Sequence, residues 1–183
     1  KIKENWKLYV AIADVAHYVS KNSNIDKEAF KRGTSVYFPG FVIPMLPEVL
    51  SNDLCSLKPN EEKLVVIAEI VIDKSGSIKS YNFENALIKS SARLTYNVVE
   101  EFLKGRNIIH DPEVIKNLNN LYSLYKSLEK NRAKRNAISF DSNEVSFFVS
   151  KSNEIESIKS SARMESQKII EECMIAANIA SSL

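Results

Sequence analysis

Arg163, Gln167, Glu171, Met174 and Asn178 fall within one stripe of about 80° when the sequence beyond Ser161 is wound at about 100° per residue. The rest of that segment is apolar. Ile169, Ile170, Cys173, Ile175, Ala176, Ala177, Ile179 and Ala180 cover a broad face and predict a well-buried helix. A polar stripe on a buried helix must find partners, because an unpaired buried carboxylate is costly. Two arrangements fit. One is an internal Arg–Glu network that holds the fold; the other is a wall of polar groups lining a cavity. Glu171 lies on the stripe, and its neighbour Glu172 points about 100° away.

A second stretch that could do chemistry runs from Arg32 to Leu57. It holds Pro39, Pro44 and Pro47, three of the five prolines, and the aromatics Tyr37 and Phe38. Proline fixes φ and cannot donate to a ladder, so the stretch reads as neither helix nor interior strand. Its many apolar residues predict a rigid, irregular, largely buried loop. Such a loop either holds side chains for binding or plugs the end of a β core. Asp14 and His17 at a strand end could form a site, and more simply are a turn cap and a satisfied side chain. Asp14, Asp53, Asp141, Glu171 and Glu172 are too scattered in sequence to support a metal cluster of the kind phosphodiester hydrolysis needs.

These residues need elements to position them. Trp6 to Ala13 reads as a strand, central in its sheet, and Ser23 to Gly33 as a short helix. Leu64 to Ile72 and Ile78 to Ile88 read as a hairpin about an Asp73–Gly76 turn, with Glu69 on a solvated face. Tyr96 to Leu103 begins a helix that Gly105 ends. Asp111-Pro112 is an N-cap followed by proline at the first helical position. Val114, Ile115, Leu118, Leu121, Tyr122, Tyr125 and Leu128 then give one apolar face through about Arg132. That helix ends in Lys126, Lys130, Arg132, Lys134 and Arg135. The cations suit either the helix dipole or a rim facing phosphates. Val145 to Ser150 and Glu154 to Lys159 make a second hairpin. The fold class expected is α+β: a mixed α/β domain with β-hairpins, a rigid Pro/Gly aromatic loop and two long helices.

The 183 residues suffice for one domain with a sizeable core. A net charge of +2 makes no claim about nucleic acid. Cys55 and Cys173 form no CxxC pair, which argues against a disulfide scaffold or a cysteine zinc site and fits a reducing cytoplasm. No apolar run is long enough to span a membrane. Both ends read as cut, since the first residue is not methionine and the last helix has no stop signal.

The wording VAIADVAHYV, then IDKEAFKRGTSVYFPGFVIPMLPEVLSNDLCSLKPNEEKL, SARLTY, AISF and IIEECMIAANI resembles the catalytic domain of the ribonuclease II/ribonuclease R family. The resemblance covers almost the whole chain in order and spacing, and its wording is nearer the ribonuclease R branch. It implies part of an Mg²⁺-dependent, processive, hydrolytic 3′→5′ exoribonuclease that turns single-stranded RNA into 5′-mononucleotides. It implies that Tyr37 stacks on the 3′-terminal base and that Phe140 clamps the other side of the stack. It also implies that Tyr96 and Glu171 handle the terminal ribose, with Arg163 and Asn178 as possible support. The family's metal-binding aspartates lie in a D-x-D-D-A motif that belongs upstream of Lys1; Asp14 follows that motif and is not part of it. The catalytic arginine belongs beyond Leu183, and cold-shock and S1-type RNA-binding domains would flank both sides. Residues 1–183 are thus expected to be a partial catalytic domain, inactive alone, that supplies 3′-end binding. The rival reading is a relative without activity that binds RNA as a regulator.

Overall fold

A computed structural model of the chain describes residues 4–135, 144–150 and 155–183. Strand β1 spans Trp6–Ala13, and helices α1 and α2 span Val15–Tyr18 and Asn24–Arg32. The short strands β2 (Val36–Phe38) and β3 (Phe41–Ile43) come next, then a π-helical segment, Val49–Leu54. The long strands β4 (Glu62–Ile72) and β5 (Ile78–Lys89) lead into helices α3 (Tyr96–Leu103) and α4 (Pro112–Lys134). Strands β6 (Glu144–Val149) and β7 (Ile155–Ser161) precede α5 (Glu165–Ser182). The class is mixed α+β, as expected.

Three antiparallel strands in the order β1-β4-β5 form the main sheet. Among the described residues β1 pairs only with β4, so the strand expected to be central lies at an edge. Side chains show why. A strand buried on both faces reads as a near-continuous apolar run; β4 does so, whereas β1 alternates Lys7 and Tyr9 with Leu8 and Val10. Helices α4 and α5 cover one face of the sheet. Leu8, Ala68, Ile70 and Ile72 pack there against Leu124, Leu128, Cys173, Ala176, Ala177 and Ala180. Near the start of β4 the opposite face is buried instead, through Lys63 and Val65. There the Lys63 ammonium donates to the Asp53 carbonyl over 2.8 Å, which ties the π-helical segment to the sheet.

Helix starts follow local chemistry. Asp111 accepts from the N–H groups of Glu113 (2.8 Å) and Val114 (3.2 Å), with Pro112 opening α4. Ser23 and Thr95 cap α2 and α3 in the same way. The β4–β5 turn is organised by Asp73, whose carboxylate accepts from the Ser75 hydroxyl (2.6 Å) and the N–H groups of Ser75 and Ser77. These bonds hold the Asp73 carboxyl far below the usual range, with the Ser75 hydroxyl contributing most. The turn docks on α4, where the Asn131 amide donates to the Gly76 carbonyl over 2.7 Å.

Two further expectations are corrected. The Arg32–Leu57 stretch contains a helical segment, Val49–Leu54, and a hairpin that is exposed rather than buried. Among the described residues strands β2 and β3 pair only with each other, and their side chains are exposed. The hairpin is nevertheless anchored at its base. The Arg32 guanidinium donates to the Pro44 carbonyl (2.9 Å), and the Met45 N–H to the Ser35 hydroxyl (2.9 Å). Helix α5 starts at Glu165, not near Ser161, so Arg163 stands outside it.

Candidate functional site

Glu171 sits at the centre of a polar cluster that joins α5 to the preceding segment and to α4 through both oxygens of its carboxylate. The Arg163 guanidinium donates to Oε2 over 2.5 Å, and Arg132 Nη1 donates to Oε1 over 3.2 Å. Arg163 lies before the helix, ahead of the extended N-cap residue Met164. It pairs with Glu171 from outside the helix, not through the helical spacing that put both on one stripe. Partial burial pushes the Glu171 carboxyl up; the hydrogen bonds from Arg132 and Arg163 outweigh it and hold the group below the usual carboxylate range. Glu171 is therefore an ionised acceptor at neutral pH, 29% exposed and open to a donor.

Glu172 is different. Its side chain is 7% exposed, and Arg132 Nη1 pairs with it over 2.8 Å. One nitrogen of Arg132 thus bridges two successive carboxylates of α5. Sequence periodicity set Glu172 apart from the polar stripe and gave Arg132 only a place in a basic helix end, so the bridge was not legible. Residues 39 and 40 positions away have no short-range signal. A second tie lies nearer the start of α5. The Lys126 ammonium donates to Glu165 Oε1 (2.8 Å) and the Tyr122 hydroxyl to Glu165 Oε2 (2.9 Å). Two of the five cations at the end of α4 are therefore occupied in helix–helix pairing rather than in a free rim.

Helix α3 approaches the same end of α5, where the Ser166 N–H donates to the Glu100 carboxylate over 3.2 Å. Tyr96, the first residue of α3, is 47% exposed. Asn178 and Met174 are exposed further along α5. The structure thus joins Arg163 with Glu171 and sets Tyr96 on a helix packed against α5. Tyr37 stands apart on β2, 77% exposed, beside the Phe38–Phe41 ring stack (4.7 Å between centroids). Phe140 lies outside the described residues. Asp14 accepts from the His17 N–H over 3.2 Å, which is the turn-cap reading. Among the described residues no three His, Cys, Asp or Glu side chains come together to hold a metal, and the set does not fit a divalent cation. No helix among them is long and apolar enough to cross a membrane.

A family model described as RNB domain matches residues 1–183. Ribonuclease R of Vibrio parahaemolyticus is 47% identical over 179 residues, covering 97% of this chain and 21% of that protein. Ribonuclease R of Escherichia coli is 46% identical over 179 residues, covering 97% of the chain and 22% of that protein. The chain spans about a fifth of the length of these relatives. Among solved structures, Mycoplasma genitalium RNase R in complex with ribose methylated single-stranded RNA superposes with a TM-score of 0.90 at 38% identity. That match covers 94% of this chain and 27% of the other.

Proposed function

The chain belongs to the RNB-domain family, and on that premise we propose that it is the 3′-end-binding part of a hydrolytic 3′→5′ exoribonuclease that releases 5′-mononucleotides from single-stranded RNA in the cytoplasm. The observation that carries this reading is the match across all of residues 1–183, at identities near one half with proteins named ribonuclease R. Mg²⁺ would supply Lewis-acid activation of water when bound. Its carboxylate ligands would lie in the part of the protein outside these residues, as would the catalytic arginine and the cold-shock and S1-type domains.

In this reading the chain's own residues bind and orient. Tyr37 offers an exposed ring on a hairpin anchored by Arg32 and Ser35, and stacks on the 3′-terminal base. Phe140 closes the stack from the other side. Stacking suits any sequence, because every base has a π-face, and is worth roughly 1–3 kcal/mol per base. Glu171, ionised and partly exposed, accepts from the terminal 2′-hydroxyl, and the Tyr96 phenol completes the ribose contact. Arg163 steadies Glu171, and Asn178 extends the polar flank along α5.

The test is Tyr37→Ala in the full-length protein, read as product length on a denaturing gel. Longer end products are expected, because the grip on the last nucleotides is weakened. Unchanged product length would remove Tyr37 from the site. The codons upstream of Lys1 separate the enzyme from an inactive RNA-binding relative: an intact D-x-D-D supports hydrolysis, and substituted positions sink it.

A further inference from the structure

We propose that Arg132 is the positioning residue through which α4 sets the preference for ribose at Glu171; this rests on the reading of Glu171 as the acceptor for the terminal 2′-hydroxyl. A glutamate side chain is flexible and gains little as a recognition group unless its rotamer is fixed beforehand. Glu171 is fixed from two directions. Arg163 holds Oε2 from the segment before α5, and Arg132 holds Oε1 from α4. Each carboxylate oxygen can accept more than one hydrogen bond, so both remain able to take a hydroxyl.

Arg132 can do this because something fixes Arg132 in turn. Its Nη1 carries two hydrogens; one goes to Glu172 over 2.8 Å and the other to Glu171 over 3.2 Å. Glu172 is 7% exposed on the core side of α5, and its carboxylate is the rigid post. Glu171 at 29% exposed is the working end. The bridge therefore converts the buried packing of α4 on α5 into a fixed orientation of a partly exposed acceptor. Arg163 alone would leave Oε1 of Glu171 free to turn away.

The experiment measures binding of two fluorescent oligoadenylates to the full-length protein in a metal chelator, so that nothing is cut. One ends in a ribonucleotide and the other in a 2′-deoxyribonucleotide. Arg132→Gln should reduce the preference for the ribose end by about tenfold, the scale of one hydrogen bond to a charged group. Arg132→Lys, which keeps a charged donor but not the planar fork, should restore part of it. In a Glu171→Gln background Arg132→Gln should add nothing, because the two act as one unit. Arg132→Gln strands the Glu172 charge in the core, so Arg132→Gln/Glu172→Gln is the variant to use if the single change does not fold. Equal weakening of both oligonucleotides, or an unchanged preference beside a lowered one for Glu171→Gln, would overturn the role of Arg132 and leave that of Glu171 standing. An unchanged preference in Glu171→Gln itself would overturn the ribose reading beneath it.

Discussion

Adjacent residues on α5 meet opposite surroundings. Glu172 faces the core and must be neutralised there, while Glu171 stands at the margin, where a charge can meet a ligand. Cys173, next in sequence, shows what the same interior does to a titrating group. Burial first, then the charge of Glu172, pushes its thiol up to about 11. Only the thiolate is a good nucleophile. Cys55 is half-buried, and its thiol is also raised, by burial and then by Asp14, with Lys63 opposing. Alkylation by iodoacetamide near neutral pH, followed by mass spectrometry, should therefore mark Cys55 well before Cys173. Equal rates would mean that α5 opens from the sheet far more readily than its packing suggests.

Among the elements, the β4–β5 hairpin and α4 depend on each other at one glycine. Gly76 has φ +83°, a region that costs a side chain strain, and a Cβ there would overlap the Ser127 carbonyl oxygen and come within 2.9 Å of Asn131 Cβ. The first is helix backbone and the second is a Cβ fixed directly to it, so neither can swing aside. Gly76→Ala should destabilise the protein by about 2–4 kcal/mol, the sum of left-handed strain and overpacking. Urea unfolding reads this directly; a loss below the uncertainty of the fit would mean that the turn does not dock on α4. The other three glycines have open space at the Cβ position, so the same substitution at Gly105 meets strain but no collision. At this scale the β2–β3 hairpin is the outlier. It is apolar and exposed, held at its base, and free of the sheet.

The whole chain divides its labour between one sheet with two covering helices and an anchored aromatic hairpin. In the proposed function it contributes binding groups; among the described residues no three His, Cys, Asp or Glu side chains come together to hold a metal. The chain of 183 residues incubated with Mg²⁺ and end-labelled RNA should release no mononucleotides. Steady release would put a cutting centre within these residues and sink the division between holding and cutting. Much of this was legible in the sequence. The Asp111 cap, the Asp73–Gly76 turn with the β-rich run before it and the apolar period of α4 are local signals, and the elements form where those signals stand. The family wording is carried by residue identity along the chain, and so it too needs no fold. Tertiary structure alone decided the rest. Among the described residues it placed β1 beside β4 alone, while β4, the more continuously apolar strand, takes a partner on each side. It left the proline-rich hairpin exposed, because apolar content does not say whether anything is there to cover it. It also joined Arg132 to Glu171 and Glu172, because two helices distant in sequence meet only when their apolar faces are buried on the same sheet.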